Sequence, residues 1–128
     1  MRFYGISRTF STENEIQYEN IGQYWDDFAS IYGREAIKGL GFNWGEHSIE
    51  YVLGTTDRSL KFDMEELRRK YPDCVYKEVD LPDSGWTTFT GQTEDLSDMY
   101  NEIYQEGALK YEIESFFEDG SCSLEIYR

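Results

Sequence analysis

The chain has 128 residues, with 26 acidic against 12 basic side chains and a net charge of −14. That length suits one domain, residues 1–128, with a core of its own, and the acidity argues against nucleic acid as a direct partner, because phosphates are met by Lys and Arg. No apolar run is long enough to span a bilayer and no signal-peptide pattern is present, so no membrane partner and a cytoplasmic location are expected.

"RFYGISRTF" is rich in aromatic and β-branched residues and predicts the first strand. "ENIGQYWDDFASIYGREA" predicts a helix over 20–33. Asn20 is its expected cap, Ile21, Trp25, Phe28, Ala29 and Tyr32 form one apolar stripe, and Gly33 ends or bends it. "IKGLGFNWGEH" holds three glycines and reads as a loop, and "SIEYVLGTT" as a strand. "DMEELRRKYP" predicts a short helix over 63–71. Asp63 and Glu66 resemble a capping box, and Arg68, Arg69 and Lys70 suit the negative end of the helix dipole. "CVYKEVDL" and "GWTTFTG" are strands. "TEDLSDMYNEIYQEG" predicts a helix over 94–106, capped by Thr93, with Leu96, Met99, Tyr100, Ile103 and Tyr104 as its buried stripe.

The chain closes with "LKYEIESFFEDGSCSLEIYR", which reads as a hairpin about Asp119-Gly120. A two-residue turn there sets Phe117 opposite Cys122, Glu114 opposite Glu125 and Glu112 opposite Tyr127. Tyr111, Ile113, Phe117, Cys122, Leu124 and Ile126 then form a core face. Lys110, Glu112, Glu114, Phe116, Ser123, Glu125 and Tyr127 form the other. Like charges directly opposite destabilise a sheet, so this second face is either solvated or the floor of a cleft that wants a cation.

The predicted order is strand–helix–strand, an inserted helix, and a strand, followed by strand–helix–strand–strand. This gives an α+β fold of two βαββ units, whose antiparallel sheets can pair about a pseudo-two-fold axis and leave a groove. The helices are expected on one side of the sheet and the ligand cleft on the other. Aromatic residues make up 17% of the chain, including 11 Tyr and 3 Trp, which is more than a small core can absorb. The surplus suits a cavity for a flat or cationic organic molecule. Cys74 and Cys122 lie far apart and form neither a disulfide framework nor a metal-ligand spacing. No zinc motif, phosphate loop or dinucleotide fingerprint occurs, so no metal and no cofactor is expected. His47 is the one histidine, in a glycine-rich loop, and no nucleophile motif accompanies it. What remains is the hairpin glutamates, of which a buried one would have a raised pKa and serve as counter-ion or as general acid/base.

Together "FYGIS", "IGQYWDDF", "IEYVLG", "VDLPDSGWTTFTG", "KYEIES" and "LEIY" resemble, in order and spacing, the strands and first helix of the GyrI-like effector-binding domains, which occur alone and fused to multidrug-sensing transcription activators. The resemblance covers nearly the whole chain. It implies two βαββ units with a ligand cleft between them, and a cleft glutamate on the penultimate strand that meets a cationic ligand. Carried over, that glutamate is Glu112, assisted by Glu125 with Tyr127 beside it. Glu114, Phe116, Trp86, Phe89, Tyr51 and Phe3 are further expected ligand-binding residues. The helix at 63–71 and Glu114, where the family commonly has Tyr, depart from the pattern. No DNA-binding segment precedes the domain in this sequence. Three functions follow as expectations: sensing or sequestering a cationic aromatic compound; hydrolysis of cyclopropane-bearing or planar toxic compounds, with Glu112 as the catalytic residue; and a protein-partner role such as gyrase inhibition.

Overall fold

The computed structural model describes residues 1–57 and 60–128. Among the described residues, seven strands and three α-helices follow one another along the chain. They are β1 (Arg2–Ser11), α1 (Gln17–Tyr32), β2 (Lys38–Phe42), β3 (Ser48–Thr55), α2 (Met64–Lys70), β4 (Val75–Asp80), β5 (Thr87–Gln92), α3 (Leu96–Gln105), β6 (Tyr111–Phe116) and β7 (Ser121–Tyr127). The fold is α+β. All seven strands form one sheet in the order β4-β1-β3-β2-β6-β7-β5, and every neighbouring pair is antiparallel.

β2 replaces the loop expected over "IKGLGFNWGEH". Glycine is poor in strands, but Gly39 and Gly41 alternate with Leu40 and Phe42, which are buried on the sheet's far face. α1 begins at Gln17, so Asn20 lies in its first turn rather than at its cap. It ends where expected: Gly33 has φ +87° and donates its N–H to Ala29 O at 2.9 Å. Thr93 begins a single 3-10 turn, Thr93–Asp95, that leads into α3 without a side-chain cap. Asp63 does cap α2, accepting from the Glu66 N–H at 3.2 Å.

The closing hairpin has a longer turn than the Asp-Gly dipeptide suggests. Phe117 N–H bonds Ser121 O at 3.0 Å, which leaves Glu118, Asp119 and Gly120 as a three-residue loop, with Gly120 at φ +87°. Phe116, not Phe117, therefore lies opposite Cys122. A one-residue slip changes the face that each strand presents to its partner. Glu112 pairs with Ile126 and Glu114 with Leu124, while Ile113 faces Glu125 and Tyr111 faces Tyr127.

Both sheet faces are covered. On the helix face, α1 buries Tyr24, Trp25 and Phe28 against Ile6, Phe10, Tyr51 and Leu53, and α3 buries Tyr100 and Ile103 against Leu124 and Ile126. On the far face, Phe3, Leu40, Val52 and Ile113 pack with Leu81. Leu81 belongs to the connector between β4 and β5, the two edge strands. Trp86, at the connector's other end, donates to Pro82 O at 2.8 Å and packs on Tyr111 and Tyr127. From Asp80 to Thr87 an extended chain reaches about 25 Å, whereas a flat sheet would set its edge strands about 29 Å apart. The sheet must curl over the far face for this connector to join its edges.

Candidate functional site

On the helix face, α1 and α3 stand apart over the middle of the sheet. Between them lies a cavity of about 760 Å³, within the range of small-molecule sites. Its floor is Tyr51 of β3 with Glu112, Glu114 and Phe116 of β6. α1 contributes Tyr18, Ile21 and Trp25 to the wall, α3 contributes Leu96, Tyr100 and Tyr104, and Trp44, Glu15 and Glu94 also line it. The cavity lies on the same face as the helices, not across the sheet from them as the sequence suggested.

The two glycines of β2 give the floor its shape. They pair with Tyr51 and Leu53 on one side and with Glu112 and Glu114 on the other. A Cβ at Gly39 would sit 1.8 Å from Tyr51 Oη, and one at Gly41 would sit 2.9 Å from Glu112 Oε1. The tyrosine and the glutamate thus lie over bare backbone.

Glu112 is 4% exposed and Glu114 is 7% exposed. Each carboxylate has one oxygen held by a tyrosine. Tyr104 Oη donates to Glu112 Oε2 at 3.2 Å. Tyr51 Oη donates to Glu114 Oε1 and itself accepts from Trp25 Nε1 at 2.8 Å. Tyr100 stacks on Tyr104, with ring centroids 5.6 Å apart and planes 15° apart. It lies near enough to Glu114 to favour the charged carboxylate, yet its buried hydroxyl has no partner of good hydrogen-bond geometry.

No Lys, Arg or His is among the described residues that line the cavity. Burial, and then the charge of Glu114, push the Glu112 pKa up to about 8. Burial raises Glu114 too, against the opposing effect of the Tyr51 hydrogen bond and of the nearby Tyr100 hydroxyl. Tyr51, Tyr100 and Tyr104 are all raised, first by burial and then by the glutamates, so they remain O–H donors. Glu50 on the far face behaves differently. Burial raises its pKa, but Lys77, Ser7 and Asn43 outweigh that with bonds of 2.7, 2.6 and 2.9 Å, and the net shift is downward.

Of the residues expected at the site, Glu112, Glu114, Phe116 and Tyr51 line this cavity. Glu125, Tyr127, Phe3 and Trp86 do not. Glu125 and Tyr127 are turned to the far face by the hairpin register, Phe3 is in the far-face core, and Trp86 packs on Tyr127. Phe89 is on the helix face but packs under α3 with Leu124 rather than lining the cavity. Trp25, Tyr100 and Tyr104 were legible only as helix stripe residues. Their signal was the polar tip each carries on an otherwise apolar stripe. His47 is exposed, 3.7 Å from Glu46, and does not line the cavity. Cys74 and Cys122 are free and buried. Among the described residues no group of three or more His, Cys, Asp or Glu side chains is placed to hold a metal ion, and no helix is long and apolar enough to cross a membrane. No protein-family model, curated protein or solved structure matches the chain.

Proposed function

We propose that the chain binds small aromatic cations in the cavity between α1 and α3, for sensing or sequestration. The observation that carries this reading is the lining itself: four glutamates and seven aromatic rings, with no basic side chain among the described residues. Two buried carboxylates without a counter-ion are costly. A ligand cation offsets that cost, and aromatic faces add cation–π attraction.

The element order supports placing the chain with the GyrI-like domains. β1-α1-β2-β3 and β5-α3-β6-β7 are two βαββ runs. Their strands lie in the order β1-β3-β2 and β6-β7-β5, which mirror each other about the β2–β6 pair. That is the arrangement expected of a pseudo-two-fold axis, with α2 and β4 as additions to the first unit. Glu112 is then the ligand's main counter-ion, by resemblance and by its place on the cavity floor.

The test is titration of Glu112→Gln with an aromatic cation and with a neutral analogue of the same size. Removing one partner of a desolvated charge pair costs about 2–5 kcal/mol, or roughly thirtyfold or more in affinity. The cation should lose that affinity and the neutral compound should not. Equal, near-zero effects on both would reject the reading.

One observation favours a hydrolase as the second reading. A buried carboxyl whose pKa lies near neutrality, beside a second carboxyl, is suited to general acid/base work on a bound compound. Incubation with cyclopropane-bearing and planar electrophiles, followed by product analysis, separates the two: turnover that Glu112→Gln abolishes would make it an enzyme.

A further inference from the structure

We propose that Glu112, Glu114 and Tyr100 form a hydrogen-bonding seat for an N–H-bearing cation, a primary ammonium or an amidinium, rather than a cage for any positive charge. The proposal rests on the cation-binding reading above and narrows it to a chemical class.

The argument is a count of polar atoms. Each carboxylate spends one oxygen on a tyrosine, Oε2 of Glu112 on Tyr104 and Oε1 of Glu114 on Tyr51. Neither second oxygen has a hydrogen bond of good geometry among the described residues and neither is sealed off as a buried orphan, and both residues line the cavity. Tyr100 Oη is the third member. It is buried, lines the same cavity and has no partner of good hydrogen-bond geometry among the described residues. Its proton can turn toward Glu114, which leaves its lone pairs free to accept. Glu112 and Glu114 are two residues apart on β6, so their Cα atoms are about 6.6 Å apart and their side chains share a face. The seat therefore presents three acceptors, the number of donors on a primary ammonium.

The same geometry disfavours a quaternary cation. A trimethylammonium group donates no hydrogen bond, so it would leave all three polar atoms unpaired at the cavity floor. A primary ammonium is harder to desolvate, and wins only where acceptors replace its water. An aromatic cage without such acceptors would show the opposite order.

The test compares three probes on one skeleton near neutral pH: naphthylmethylamine, its N,N,N-trimethyl derivative and naphthylmethanol. Wild-type protein should bind the amine at least about tenfold more tightly than the trimethyl compound, the effect of one or more charge-assisted hydrogen bonds. Tyr100→Phe should cost the amine about tenfold and the trimethyl compound less than about twofold. Should that variant fail to fold, the order of the two cations on wild-type protein decides alone. Equal or tighter binding of the trimethyl compound overturns the seat while leaving cation binding intact. If neither cation binds better than naphthylmethanol, the cation-binding reading falls, and the seat with it.

Discussion

Glu50 and Glu112 are carboxylates on the same sheet whose pKa values shift in opposite directions: at Glu112 burial and then the like charge of Glu114 outweigh the one tyrosine donor, whereas at Glu50 a lysine and two neutral donors outweigh burial. The consequence is a pH dependence with a definite sign. Unfolded, Glu112 titrates near about 4.3; folded, it titrates at about 8. Below the lower value both states carry the proton, and burial costs little. Between the two values only the folded chain keeps the proton, so stability falls as pH rises and levels off above about pH 8. Thermal unfolding from about pH 5 to pH 8 should show this decline. Glu112→Gln should flatten it and raise stability at the upper end by about 2–4 kcal/mol. Cation affinity should move the other way, weakening as the pH falls and protons occupy the pair, which titrates in two coupled steps. His47→Ala should change stability by less than about 0.5 kcal/mol and leave binding unchanged, since this side chain is exposed and outside the cavity.

β2 is the element on which the site depends most. Gly39→Ala would drive a methyl group into Tyr51 Oη and break the chain of bonds from Trp25 through Tyr51 to Glu114. The expected cost is about 1–3 kcal/mol in stability, as for other overpacked sites, together with lost ligand affinity; denaturant unfolding and titration check both. The glycines that make room for the site are also what hid the strand in the sequence, since Gly39, Gly41 and Gly45 together read as a loop. The hairpin was misread for a related reason. Asp119-Gly120 fits a two-residue turn, but Gly120 is the last residue of a three-residue loop, and nothing in the dipeptide distinguishes the two. That single residue sends Glu125 and Tyr127 to the far face. Glu112 and Glu114 were nonetheless placed side by side, because their shared face depends on strand period alone and not on register. The helices, the antiparallel pairing and the carboxylate pair were legible from local pattern. The side of the sheet that holds the cavity was not, because it depends on how far apart α1 and α3 stand, a tertiary fact with no local signature.

The whole molecule is held by connections between distant parts. The connector from β4 to β5 must cross the far face, and Leu81 is its buried anchor, packed with Phe3, Leu40 and Val52. Leu81→Ala should destabilise the protein by about 2–4 kcal/mol, measured by denaturant unfolding. On the helix face α2 is tied to α1 through Asp27, which accepts from Tyr71 Oη and pairs with Lys70 at 3.0 Å. The net charge of −14 acts on all of this at once. Self-repulsion opposes the compact state and is screened by salt. The thermal midpoint should therefore rise by several degrees from low to physiological ionic strength, and the rise should be smaller at about pH 5, where more carboxyl groups are neutral.

The bond from Trp25 to Tyr51 also gives the protein a built-in optical reporter. Trp25 and Trp44 line the cavity, whereas Trp86 packs with Tyr127 on the opposite face. Trp25 is connected to Glu114 through a single tyrosine hydroxyl. A change in the ionisation or occupancy of that carboxyl alters the field at the indole, and a ring placed between α1 and α3 lies against it directly. In a Trp86→Phe background, indole emission would come only from the two cavity tryptophans. Occupancy of the site could then be followed by fluorescence without a label, with the compound and the proton each leaving its own spectral change.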